Sequence, residues 1–297
     1  LMKETAQRPK TKELGRSLHP VELGFQRIAA STCCRLALLV VPVWMLQGRK
    51  RHRRGVGAGV GRVSVVNMFE ELRWSGFQLV TDSSRTDWAR RRQSGDVYRV
   101  DFQVPAGFDK YCRILHRAHD DQSGYVARWS HYARAIGVSL EQDTHWSEIV
   151  HRDPSLSGCG PEEGSLDQIS RTAFLEVVNR TQAPQSCIYA GYWEGIAPMH
   201  VPGISFPTLV LGLRDYVMFE VVLSALTGTF DAAADAPFQF PAVLYPQDRS
   251  WYLSTDVDYN STLVGGTEQF INAVLEHDTI EAFVISPHVD LTYRALP

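Results

Sequence analysis

From Met68 onward the hydrophobic and polar positions fall into short periodic runs. Residues 77–80 and 97–104 read as strands, the second placing Tyr98, Val100, Phe102 and Val104 on one face and Arg99, Asp101 and Gln103 on the other. Pro105-Ala106-Gly107 is a turn, and 110–116 continues as a strand or short helix. Residues 129–136 put Trp129, Tyr132, Ala133 and Ile136 on one helical stripe that stops at Gly137. The Pro, Ser and Gly of 153–164 read as a linker or long loop. Ser165-Leu166-Asp167-Gln168 is a capping box, in which the Ser165 hydroxyl and the Gln168 amide satisfy orphan backbone groups, and it predicts a helix to about Arg180. Strands are expected at 187–193, 215–221, 242–245, 250–256 and 281–285, and helices at 222–226 and 267–277. Runs of strands with a few flanking helices, without strict alternation, indicate an α+β fold: a mainly antiparallel sheet in two subdomains, 63–155 and 156–297.

Composition agrees with a folded domain. Of 297 residues, 44% are hydrophobic and 21% charged, and a chain of this mass buries about three quarters of its extended surface. Collagenous, disordered and small disulfide-scaffold classes are excluded. The net charge of −3 conceals a split, because 1–62 carry 13 of the 30 Lys and Arg but 3 of the 33 acids. The remainder is strongly acidic, with Lys110 its one lysine beside 16 arginines, a high-GC composition.

The basic leader 1–62 reads as a disordered or upstream extension, with the working chain beginning near Val63 or Met68. Its apolar run 36–46 is too short to span a bilayer. Extending it to 28–47 includes Arg35, which costs about 2.5–3 kcal/mol at a bilayer centre, and Pro42. A membrane tether through 28–47 is therefore the alternative, and the cytoplasm the expected compartment. The basic cluster following the run opposes export by the positive-inside rule. Gly55-Val56-Gly57-Ala58-Gly59-Val60-Gly61 lacks dinucleotide-loop spacing and reads as a linker. No aromatic residue is interleaved with the basic run 49–54, and the body is acidic, so nucleic acid is not an expected partner. The five cysteines contain no Cys-x-x-Cys pair, which fits a reducing compartment.

Several clusters carry ligand-type residues. His116 and His119 would share a face on a helix, as metal ligands require, with Cys112 four residues earlier, although Asp120-Asp121-Gln122-Ser123-Gly124 has turn chemistry. Cys159, between two glycines and near His145 and His151, is the candidate nucleophile. Asp256-Val257-Asp258-Tyr259-Asn260 begins like a calcium loop, but Ser261 stands where glycine is needed, and a strand end leading into a Gly265-Gly266 loop is the plainer reading. Neither a metal nor another cofactor is expected.

Pro246-Gln247-Asp248-Arg249-Ser250-Trp251, a following strand, Asp256-Val257-Asp258 and Val264-Gly265-Gly266 together resemble a family of uncharacterised high-GC actinobacterial proteins. Its C-terminal signature is Pro-x-Asp-Arg-x-Trp, an Asp-x-Asp pair and a Val-Gly-Gly turn. Tyr192-Trp193-Glu194-Gly195, Phe108-Asp109, Ile114-Leu115-His116 and Arg128-Trp129 extend the resemblance over roughly 105–285. It implies a family and no reaction.

Beside it, the residues themselves give a candidate patch that is aromatic and acidic, formed by Trp193, Glu194, Arg249, Trp251, Asp256 and Asp258. Such a patch suits a cationic peptide or a partner's arginine; the alternative is that Trp193 and Trp251 are core residues and Arg249 pairs with Asp248 or Asp256. The expected function is a non-enzymatic cytoplasmic interaction module, of immunity or accessory type, whose protein partner presents a basic surface. The alternatives are a hydrolase using Cys159 or a metal at His116 and His119, and a membrane-tethered accessory protein.

Overall fold

Among the described residues, nine strands form a main sheet and helices pack against it. The computed structural model describes residues 68–120, 124–195, 205–231 and 239–292, all inside the unit Lys50–Pro297; the basic leader and the 28–47 stretch lie outside the described residues. In chain order the first half holds α1 (Met68–Trp74), β1 (Gln78–Leu79), α2 (Ser84–Arg90), α3 (Val100–Gln103), β2 (Lys110–Leu115), β3 (Ala118–Asp120), β4 (Val126–Ala127), α4 (Trp129–Ala135) and α5 (Trp146–Arg152). A 3-10 turn (Pro154–Gly158) leads into β5 (Cys159–Pro161), α6 (Gln168–Thr181), β6 (Cys187–Trp193), β7 (Thr208–Leu211), β8 (Arg214–Val222) and α7 (Leu223–Thr229). The chain closes with β9 (Val243–Pro246), β10 (Trp251–Ser254), β11 (Ser261–Gly266), α8 (Glu268–Leu275) and β12 (Ala282–Val284).

The large sheet runs β1-β8-β6-β9-β10-β11-β2-β12, with β7 beside β8 on the same edge as β1. Every registered pair is antiparallel, for example Ala190 opposite Leu244 and Val264 opposite Cys112. A second sheet, β4-β3-β5, is small. The fold is thus α+β, with a mainly antiparallel main sheet. Chain from both sides of residue 155 enters both sheets, since β2 lies between β11 and β12, and β5 pairs with β3.

Strand alternation sorts the side chains into two buried layers. On one face Ile188, Ala190, Tyr192, Val217, Phe219, Leu244, Leu253 and Val264 meet α6 through Phe174 and Val178 and α8 through Phe270 and Val274. Trp251 joins this layer at 1% exposure, stacked on Phe270 at 5.3 Å and edge-on to Phe174 at 5.6 Å. The opposite face carries Tyr189, Tyr245, Tyr252 and Tyr111, roofed by Trp88 of α2 and by Phe108. At its β2 end, Leu115 joins Trp129, Tyr132, Trp146 and Ile149 of α4 and α5 in a satellite core.

The expected strand at 97–104 is instead a turn followed by α3. Val100 and Val104, four residues apart, are both fully buried, and Asp101 is buried against Arg99 at 2.6 Å and His288 at 3.1 Å. A single residue parity could not bury Asp101 together with its apolar neighbours, whereas one helical turn does. The cap of α6 is Asp167, not Ser165: its carboxylate accepts from the Ser170 N–H at 3.0 Å and from the Arg117 N–H at 3.0 Å. The loop expected at 153–164 contains the 3-10 turn and β5.

Gly265-Gly266, read as a loop, ends the inner strand β11. A Cβ at Gly265 would stand 2.6 Å from a Phe108 ring carbon and 2.8 Å from a Val104 methyl, so this glycine makes room for the aromatic layer. Gly228 is the contrasting case, in α7 with nothing within 4 Å of a built Cβ. Gly265→Ala is expected to lower unfolding free energy by about 1–3 kcal/mol, and Gly228→Ala to raise it by about 0.5–1 kcal/mol. Urea titration of the two variants checks both signs.

Candidate functional site

Of the residues expected to form one patch, the fold gathers four and sends two elsewhere. Trp193 and Glu194 lie at the end of β6, and the Glu194 N–H donates to the Asp215 carbonyl at 3.0 Å where β8 begins. Asp256 and Asp258 follow β10 at the same end of the sheet. Arg214, the first residue of β8, draws them together: its Nε and one terminal nitrogen clasp Asp256 at 2.8 and 2.7 Å, and the same nitrogen reaches Asp258 at 2.9 Å. Its guanidinium carbon lies 4.9 Å from the Trp193 ring centroid.

A bidentate carboxylate below and an indole face beside it form a guanidinium clamp. The Asp256 hydrogen bonds push the Arg214 pKa above its ordinary value, outweighing the opposing effect of burial, with Asp258 adding to the shift. Asp256 is largely covered, with 11% of its side chain exposed, whereas Asp258 is 77% exposed and Glu194 is exposed. The clamp is therefore an acidic rim around one cation supplied by the chain itself.

Trp251 is buried on the helix-covered face, and Arg249 lies beyond the other end of β10. There the Arg249 guanidinium carbon sits 5.1 Å from the Trp88 ring centroid, and among the described residues it pairs with no carboxylate, neither Asp248 nor Asp256.

His116 follows β2 and His119 lies in β3, so they do not share a helix face, and among the described residues no group of three or more His, Cys, Asp and Glu is placed to hold a metal. Cys112 is fully buried, and burial pushes its thiol up to about 12. His116 is also buried, with both ring nitrogens engaged. Because a carbonyl can only accept, Nδ1 carries the proton that goes to the Glu162 carbonyl at 2.7 Å. Nε2 then accepts from the Thr262 hydroxyl at 2.8 Å, so Thr255 donates to Thr262 at 2.7 Å. This chain ties β10, β11 and the β2–β3 corner together.

Cys159 lies in β5, where its thiol donates to the Tyr132 hydroxyl at 3.2 Å. Burial, with the Cys159 hydrogen bond adding to it, raises the Tyr132 pKa well above the ordinary phenol range. Cys159, His145 and His151 do line one cleft of about 610 Å³, but the thiol's partner is a phenol that gives up its proton reluctantly.

No protein-family model matches the chain, and no curated protein or solved structure matches it either. Among the described residues, no helix is long and apolar enough to cross a membrane. The residue that organises the acidic rim, Arg214, was missed from sequence. The available signal was the approach of the start of β8 to the end of β6, with Trp193 opposite Tyr216 and Glu194 bonded to Asp215, which becomes visible only once the β6–β8 register is known.

Burial lowers the His116 pKa to about 4, against smaller raising effects of the Glu162 carbonyl and Asp167, while Arg113 lowers it further. Between about pH 4 and its unfolded pKa near 6.5, the unfolded chain binds the proton and the native chain does not. This residue's contribution is therefore complete above pH 6.5 and is lost as pH falls, at up to about 1.4 kcal/mol per pH unit. Urea midpoints measured from pH 4 to 8 should show that slope in the wild type and a flatter profile in His116→Gln.

Proposed function

We propose that this domain is a non-enzymatic interaction module, of immunity or accessory type, that works in the cytoplasm and docks a protein partner's basic surface. The observation that carries the reading is the clamp at the end of the sheet, where Arg214 holds Asp256 and Asp258 and the backbone of Glu194 bonds to that of Asp215 alongside. Arg214 and Asp256 fix the shape of the rim, and the exposed carboxylates of Asp258 and Glu194 are placed to meet a partner's arginine or lysine at its edge. Rim charges of this kind set association rate and salt dependence more than intrinsic affinity. The acidic body beyond the leader supports the same sign of partner. Cys112 and Cys159 are thiols outside any disulfide, in keeping with a reducing compartment.

A labelled oligo-arginine peptide, followed by fluorescence anisotropy at low and high salt, provides the test. Glu194→Lys with Asp258→Lys is expected to weaken binding at least about tenfold at low salt, while Glu276→Lys with Asp278→Lys, an equal charge change elsewhere, leaves it within about twofold. Equal effects of the two pairs would sink the proposal.

A further inference from the structure

The strongest unassigned feature is a small cavity at the opposite end of β10 from the acidic clamp. We propose that it is a binding site for a compact oxyanion of the phosphate class, held between the guanidinium groups of Arg85 and Arg249. The cavity measures about 210 Å³ and is lined by Ser84, Arg85 and Trp88 of α2, by Tyr189 and Tyr245 of the sheet, and by Gln247 and Arg249 of the β9–β10 turn. That volume is below the roughly 300–1,000 Å³ of drug-sized pockets and suits one small polar group.

The walls are fixed before any ligand arrives. Tyr189 and Tyr245 are direct cross-strand partners. Arg85 is held at both ends, its side chain donating to the Tyr189 hydroxyl at 3.0 Å and its carbonyl accepting from the Tyr245 hydroxyl at 3.0 Å. Trp88 stands edge-on to Tyr245 at 5.4 Å. Its indole N–H is buried and acts on the Tyr245 hydroxyl without the geometry of a full hydrogen bond.

Arg249 is the cation left over. Arg85 already has Asp82 at 3.8 Å, and Glu220 also acts on it. Asp248, the acid next to Arg249, accepts instead from the Ser250 N–H at 3.0 Å and from Gln182 at 3.5 Å. The Arg249 guanidinium therefore makes no hydrogen bond or ion pair among the described residues, and rests on the Trp88 face.

The backbone at this position adds a second, independent observation. Arg249 has φ of 60°, the one non-glycine residue with positive φ among the described residues. A turn that needs this conformation is met with less strain by glycine or asparagine. Holding an arginine there spends conformational strain on presenting a guanidinium, and strain of that kind clusters at ligand sites. A planar fork of donors lining the same cavity as a second, pre-positioned guanidinium matches a tetrahedral dianion. The site is distinct from the acidic clamp, so either can fail without the other.

Inorganic phosphate and phenyl phosphate, titrated separately into the full-length protein at low salt, should each move the Trp88 indole N–H resonance saturably. Tighter binding of phenyl phosphate would identify an ester as the better ligand, and equal binding would identify free phosphate. Arg249→Gln and Arg85→Gln are each expected to weaken binding about tenfold or more, and Arg180→Gln, on an exposed helix face, to leave it unchanged. Arg249→Gly separates binding from folding, because it relieves the strained turn while removing the guanidinium. It should lose binding as Arg249→Gln does, with a thermal midpoint no lower than wild type. No saturable shift at millimolar phosphate, or a loss below about threefold in either Arg249 variant, would overturn the site.

Discussion

An antiparallel sheet commonly keeps one face on the core and one in water. In this protein both faces of the main sheet are covered, and much of the molecule follows from that constraint. Strands such as Cys187–Trp193 and Ser261–Gly266 are buried along almost their whole length, so they lose the alternation that marks a half-wet strand. The second face is filled by rings instead of aliphatic side chains, with Tyr245 stacked on Tyr252 and Trp88 edge-on to both. Glycine at 265 is the complement of that choice, because a side chain there would occupy the space of Phe108.

Double coverage also dictates how polar groups survive inside. Arg113, 2% exposed, points from β2 into the satellite core, where Ser261 and the carbonyls of Gln142 and Thr144 take its hydrogens and Trp129 takes its face. His116 is kept neutral by the same logic, bound at both nitrogens and paired through Thr262 and Thr255. Two histidines, a nearby cysteine and an arginine can look like a reactive cluster in one dimension. In the fold His116 and Arg113 belong to the internal hydrogen bonding that a dry interior requires.

This explains what could be read from the chain and what could not. Strands β6, β8, β9, β10 and β12 and helices α4, α6 and α8 were legible because each has an unbroken apolar run or a helical stripe. The stretch at 97–104 alternates cleanly yet forms a helix, since Asp101 has buried partners at Arg99 and His288 that no local pattern reveals. Strand β11 was hidden by its glycines, whose role depends on Phe108 more than 150 residues earlier. Of the residues read as an acidic patch, Trp193, Asp256 and Asp258 meet at Arg214, with Glu194 next to Trp193. The sequence could not place Trp251, whose strand parity turns it into the helix-facing core, or Arg249, which precedes β10 where the aspartates follow it.

The two charged features at the ends of β10 are a further product of the same constraint. With both faces closed, an ionic group of the sheet reaches solvent most readily where strands end and turns begin. At one rim Arg214 is paired with Asp256 and Asp258, and its charge is already answered within the chain. At the other, Arg249 is held over an indole with no carboxylate partner among the described residues. A four-residue strand thus separates a site where an internal cation shapes an acidic surface from one where a cation stands unanswered. The opposite signs of these rims are what set the two proposed sites apart chemically.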